Sequence, residues 1–313
     1  MKKYRFKSLA IALACVASLL SSSVVGAVEI PKLRLQISPP VQEIELTPGE
    51  NYTGSFQVQN IGTEEFGYKV FVSPYSVTDE NYSPDYETKN TYSQMADWII
   101  VQEPSGTLPA DEVRDVFYSV SVPEDVPAGD QRAIILTELV PLDEADTTSE
   151  GNGTAIKNIS QVGSIIYAKM NGGETHEAGR ILSNKTNRFV LSGPIKTESL
   201  VENTGNTMIK ASCTMQVYGA FDNQEQEEPI YSSENQPKEF VVLPETKRLN
   251  VLEWEETPKL GLFKVIQTVE MLDETSTVEK IVLVCPLWFA LTVAILIILC
   301  IIWLVTRIGK RRK

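Results

Sequence analysis

An all-β chain, built as two tandem β-sandwich domains and closed by one C-terminal transmembrane α-helix, is predicted by three features of the sequence. Apolar and polar residues alternate along many short runs, an Asn-x-Gly element recurs with its surroundings in both halves, and an uncharged apolar run stands near the C-terminus.

At the N-terminus, Lys2, Lys3, Arg5 and Lys7 precede an apolar run from Leu9 to Leu20. Ser21-Ser22-Ser23 then leads to Val25-Gly26-Ala27, which ends in small residues. This is the layout of a signal peptide over 1–27, cleaved after Ala27. Lipid attachment at Cys15 is set aside because the apolar run continues past it.

The stretch that follows is long enough for two domains of ordinary size. Phe56 and Val58, then Tyr68, Val70 and Val72, then Val116, Tyr118, Val120 and Val122 alternate with polar neighbours, the two-residue period of half-buried strands. Turn residues punctuate them at Thr47-Pro48-Gly49, Asn60-Ile61-Gly62, Ser105-Gly106, Pro109 and Pro127-Ala128-Gly129. Many short strands broken by Gly and Pro predict antiparallel sandwiches of immunoglobulin-like type.

An internal repeat supports two of them. Val58-Gln59-Asn60-Ile61-Gly62-Thr63 is echoed by Val201-Glu202-Asn203-Thr204-Gly205-Asn206. Leu108-Pro109 with Arg114 and Pro127-Ala128-Gly129 is echoed by Leu243-Pro244, Arg248 and Pro258-Lys259-Leu260-Gly261. Asn and Gly tolerate positive φ and let a strand reverse. The first domain is expected over 28–172 and the second over 173–277, with Asp143 to Asn158 an exposed loop. A short stalk ends at 278–280.

Ile281 to Val305 carries no formal charge, has Trp288 and Trp303 near its ends, and is long enough to cross a hydrocarbon core of roughly 30 Å. The tail, 306–313, holds Arg307, Lys310, Arg311, Arg312 and Lys313 with no acid, and basic flanks stay on the cytoplasmic side. The expected location is the cell membrane, single-pass, with the N-terminal part extracellular.

Formal net charge is −13, and setting aside the basic groups of the two ends makes the intervening chain more acidic still. Nucleic acid needs a basic surface, so that class is excluded. Of the 4 cysteines, Cys15 lies in the signal and Cys285 and Cys300 in the expected span, leaving Cys213 and no intrachain disulfide. Unstapled sandwiches of this size favour a bacterial source. Sequons at Asn51, Asn81, Asn152, Asn158 and Asn184 matter only in a eukaryote.

No catalytic, cofactor-binding or metal-binding residue is nominated. His176, the only histidine, sits in the turn-rich Asn171-Gly172-Gly173-Glu174-Thr175-His176 and reads as an exposed linker side chain rather than a general base. With Cys213 it cannot close a zinc shell. The acidic clusters Asp143, Glu144, Asp146 and Glu225, Glu227, Glu228 lack calcium-loop spacing. Gly151-Asn152-Gly153 and Gly172-Gly173 lack the residues that make a phosphate loop. Tyr75, Tyr82, Tyr86 and Tyr92 lie in a long excursion that either offers a sugar platform or covers a sandwich edge. Trp98 reads as core and Trp254, flanked by Glu253, Glu255 and Glu256, as an exposed contact residue.

The order of Ile37-Ser38-Pro39-Pro40, Leu46-Thr47-Pro48-Gly49, Val58 to Asn60, Trp98-Ile99, Pro104-Ser105, Val122 to Gly129 and Arg132-Ala133-Ile134-Ile135 resembles the N-terminal domain of WxL-interacting proteins, surface proteins of Gram-positive bacteria. The resemblance implies a peptidoglycan-binding first domain and a second that binds a secreted WxL protein or a host ligand. It assigns no binding residue. The function expected is therefore a non-enzymatic, membrane-anchored binding or scaffold protein at the cell surface. A pilus-chaperone-like assembly factor and a surface hydrolase using carboxylates alone are the alternatives.

Overall fold

The computed structural model describes residues 32–142, 160–222, 224 and 226–311, with side chains to Trp303. The expected signal peptide and its cleavage site lie outside the described residues, as does the whole of the expected loop at 143–158.

Alternation becomes strand throughout. The first sandwich contains β1 (Leu35–Ser38), β2 (Val41–Leu46), β3 (Asn51–Asn60) and β4 (Phe66–Pro74). A small ribbon follows, β5 (Ser76–Val77) and β6 (Pro84–Asp85), then β7 (Ile99–Val101), β8 (Ser105–Leu108), β9 (Val113–Ser121), β10 (Gln131–Val140) and β11 (Gln161–Met170). One sheet has the order β1-β3-β9-β7 and faces a second of order β2-β11-β10-β4-β8. The core between them includes Phe56, Val58, Tyr68, Val116, Tyr118, Ile135 and Ile166.

The second sandwich repeats the plan with β12 (Gly179–Thr186), β13 (Phe189–Val190), β14 (Ile195–Asn203), β15 (Ile209–Gly219), β16 (Tyr231–Ser232), β17 (Lys238–Val242), β18 (Lys247–Trp254), β19 (Gly261–Met271) and β20 (Glu274–Val284). The sheet β12-β14-β18 faces β13-β20-β19-β15-β16, with β17 also on β15. In both sandwiches the first strand switches sheets, so that β2 runs parallel to β11 and β13 parallel to β20.

The Asn-x-Gly echo has one mechanism at both sites. Asn60 is fully buried, its Nδ2 donates to the carbonyls of Glu64 and Leu108, and its Oδ1 accepts from Gly62 N–H. Asn203 donates to Thr207 and Val242 and accepts from Gly205 N–H. A Cβ on Gly62 would lie 2.4 Å from Lys32 O, and one on Gly205 2.2 Å from His176 O, so neither place admits a side chain. These bonds correct the register of the second echo. Leu108 corresponds to Val242 rather than Leu243, and Asp111 to Glu245, both at positive φ, 62° and 57°.

The expected transmembrane helix requires a larger correction. Ile281 to Val284 are the end of β20, paired with Gly261 to Lys264, with Val282 and Val284 buried and Ile281 and Leu283 outside. The expected stalk, up to 280, is strand as well. Cys285 is buried beyond it, and α1 (Leu287–Arg311) begins only after Pro286. Among the described residues no helix is long and apolar enough to cross a membrane. The single-pass membrane location, the extracellular N-terminal part and the cytoplasmic tail rested on that span and fall with it. An apolar run counts side chains without regard to what covers them. Here two of the first four are covered by a sandwich.

Candidate functional site

The sequence-nominated chemistry disperses in three dimensions. His176 is exposed, and its backbone, not its ring, is engaged, its N–H donating to Asn206 Oδ1 at 2.6 Å. Cys213 is fully buried against Ser199 and Gln267, and burial pushes its thiol pKa up, away from reactivity. Glu227 and Glu228 are exposed, while Glu225 and the cluster at Asp143, Glu144 and Asp146 lie outside the described residues. Among the described residues no group of three His, Cys, Asp or Glu is placed to hold a metal.

Trp254 corrects its expected exposure. It is 5% exposed, stacked on Tyr231 with ring centroids 6.0 Å apart and edge-on to Phe263 at 5.5 Å. The flanking acids point outward while the strand turns the indole in. Trp98 is half-buried and packs on the first core.

Three tyrosines of the excursion, Tyr75, Tyr82 and Tyr92, build the joint between the sandwiches, while Tyr86 is exposed and stacks on Tyr75 with centroids 6.3 Å apart. Tyr75 and Tyr167 cluster with Ile134, Leu136 and Leu243, and Tyr82 packs against them. Leu243 N–H donates to Tyr82 Oη at 2.8 Å, and Arg248 lies 4.2 Å over the Tyr82 ring. Tyr92 donates to Glu245 at 3.0 Å and faces Arg132, which is 2% exposed and donates through Nε to Tyr75 O. Burial without a carboxylate partner depresses the Arg132 pKa.

Asp130 pins the same joint. One carboxylate oxygen accepts from Met170 N–H of the first sandwich and the other from Met208 N–H of the second, at 3.2 and 2.8 Å. Its own N–H donates to Asn206 O. Gly129 before it has φ 97°, and a Cβ there would meet Asn206 O at 2.2 Å. Beside the pin opens a cleft of about 230 Å³ that includes Tyr167, Lys169, Met208 and Val241. Lys210 and Glu43 pair across its rim at 2.7 Å.

The feature with the clearest chemistry is the outer face of β1-β3-β9-β7. Registered pairs place Gln36 beside Gln59, Ser38 beside Gln57, Ser55 beside Phe117, Thr53 beside Ser119 and Asn51 beside Ser121. Ile100 joins at Ser119. Asp115 carries the only charge among these outward side chains, and Gln57 Nε2 donates to it at 3.1 Å. Phe117 is 48% and Ile100 63% exposed. The corresponding face of β12-β14-β18 is charged, with Arg180–Glu202, Lys196–Glu253 and Lys247–Glu202 pairs at 2.6, 2.7 and 3.8 Å. Sequence reasoning missed this contrast because it becomes visible only when side chains from separated strands share a face.

No family model and no curated protein matches the chain. Among solved structures, it is similar to the class 5 fimbriae chaperone CfaA, with TM-score 0.38 and 10% identity over 80% of this chain and 99% of that one. It is also similar to the CsuC–CsuE chaperone–tip adhesion subunit pre-assembly complex from archaic chaperone-usher Csu pili of Acinetobacter baumannii, with TM-score 0.37 and 12% identity over 79% and 98%. A third likeness is the Salmonella enterica SafA pilin in complex with the SafB chaperone, TM-score 0.34 and 12% identity over 82% and 98%. Likenesses this distant carry no argument about ligand or partner.

Proposed function

We propose that this chain is a non-enzymatic binding protein that docks a partner protein on the outer face of β1-β3-β9-β7. The observation that carries the reading is the near absence of charge on that face, in a chain whose equivalent second face is laced with ion pairs. Desolvating amides and hydroxyls that find new partners costs less than desolvating charges, and interface centres are depleted of charge and enriched in aromatics such as Phe117. The joint to the second sandwich is built on the opposite sheet, through Ile134, Leu136 and Tyr167 of β10 and β11, so it leaves this face uncovered. An adaptor holding a finished protein and an assembly factor holding a subunit would both use such a face. A second reading, a neutral cell-wall polymer such as peptidoglycan, is favoured by the same amides and hydroxyls around one exposed ring.

The full-length chain, immobilised and challenged separately with secreted proteins and with purified cell-wall sacculi, tests both. Retention on one of them that drops about tenfold in Phe117→Asp and Ser55→Lys, but not in Lys196→Ala, supports the face and names the ligand class. Retention indifferent to the first two substitutions overturns it.

A further inference from the structure

The two sandwiches close the edge of their last strand differently. Stepping eight residues on from Asn60 and Asn203 places Tyr68 on Ala211. Following the ladders outward then places Ile165–Met170 of β11 on Glu279–Val284 of β20. In the first sandwich β2 covers all six of these positions, from Val41 to Leu46. In the second, β13 covers only Leu283 and Val284, because β12 stays in the other sheet four residues longer. The backbone groups of Thr275, Thr277, Glu279 and Ile281 point away from β19, as that of Leu283 does in donating to Arg188 O, and among the described residues no strand lies beside them. An unpaired edge of this kind is a template for another extended chain.

We infer that this edge, Thr275 to Val282, takes up an extended segment of a partner protein, running parallel to β20, with apolar side chains at inward positions and acidic ones outward. What fills the same place in the first sandwich sets this chemistry. There β2 turns Ile44 and Leu46 inward and Glu43 and Glu45 to solvent. Cations suit the acids. Arg188 forms no salt bridge among the described residues, and it lines a hollow of about 300 Å³ with Glu279 and Ile281 where β13 stops. Lys264 pairs with Ile281 on the same face, its ammonium donating to Asp222 O. Glu279 is engaged by Gln224 Nε2 at 3.4 Å, and a second carboxylate of the same face, Glu270, stands beside Thr275 at the other end of the edge. Main-chain bonds supply affinity in this mode and alternate side chains supply selection.

This inference rests on the reading of the chain as a protein binder, but on a separate surface. The probe is a blocked, fluorescent peptide copying Pro40–Thr47, titrated against the full-length chain by anisotropy, with hydrogen exchange to locate it. Saturable binding is expected, with exchange of the Thr277, Glu279 and Ile281 amides slowed about tenfold. N-methylation at the peptide positions copied from Gln42 and Ile44 should abolish binding, whereas methylation at those copied from Glu43 and Glu45 should not, because only the former face the edge. Arg188→Glu with Lys264→Glu should weaken binding about tenfold. Protection elsewhere, equal effects of both methylation patterns, or protection of the edge by self-association without peptide would overturn the inference. A chain that retains its partner through Phe117 while leaving this edge unprotected fails here alone.

Discussion

Asn60 and Asn203 stand at the same corner of the two sandwiches and make the same three hydrogen bonds, yet the sheets beside them present opposite surfaces. Beside Asn60 the outward side chains are amides, hydroxyls and the ring of Phe117. Beside Asn203 they are ion pairs around Glu202, Lys196 and Glu253. The edges differ in the same sense, closed by β2 in one sandwich and left open beside Thr277 in the other. A shared interior thus leaves the exterior free to diverge, because the corner and core obey packing and hydrogen-bond satisfaction while the faces obey whatever they meet.

The largest effects should come from what the sandwiches share. Asn60→Ala and Asn203→Ala each strand two buried carbonyls and one N–H, and each should cost about 3 kcal/mol of stability in denaturant unfolding. A large difference between them would show that the corners are alike in geometry only.

Next comes the joint that binds the two halves. Asp130→Ala removes the acceptor of one N–H from each sandwich and should cost about 2 kcal/mol, splitting a single thermal transition into two. Its pH dependence has a definite sign. Burial raises the Asp130 pKa above 3.8, so the folded state favours the protonated form. Its contribution to stability is therefore greatest below 3.8 and is lost as pH rises through the raised folded value. The slope of stability against pH in that acid range should flatten in Asp130→Asn, which a urea titration series reads.

Smaller effects test the contrast of faces. Phe117→Asp should leave stability within about 0.5 kcal/mol while lowering partner retention about tenfold, since the ring is half exposed and its opposite face is solvent. Smallest of all, a double-mutant cycle on Lys196 and Glu253, both exposed, should return a coupling of about 0.5 kcal/mol that fades in salt. A coupling several times larger would mean that the charged face is a stabilising network rather than a solvated one.

Much of the strand architecture was legible residue by residue. Val116, Tyr118 and Val120 alternate in sequence and are buried on one side of β9, and the Asn-x-Gly echo marks a corner with identical bonding. The joint was not legible, because Tyr75, Tyr82 and Tyr92 read the same whether they meet sugar, solvent or another sandwich. Trp254 was misplaced because its charged neighbours in sequence lie on the opposite face of β18 from the indole. Ile281 to Val284 was misplaced because four apolar residues continuing into a longer apolar run hide a two-residue period.

By itself, then, the sequence determined the local periods, the positions where a side chain is forbidden, and the acidic balance of the chain, since these depend on neighbours a few residues apart. Only the tertiary structure decided which strand ends covered β11 and which left β20 open, that four tyrosines would seal a joint, and that scattered Gln, Ser and Thr would gather around Phe117 on one uncharged face. Those outcomes depend on which distant strands become adjacent, and the length at which a strand switches sheets sets that adjacency.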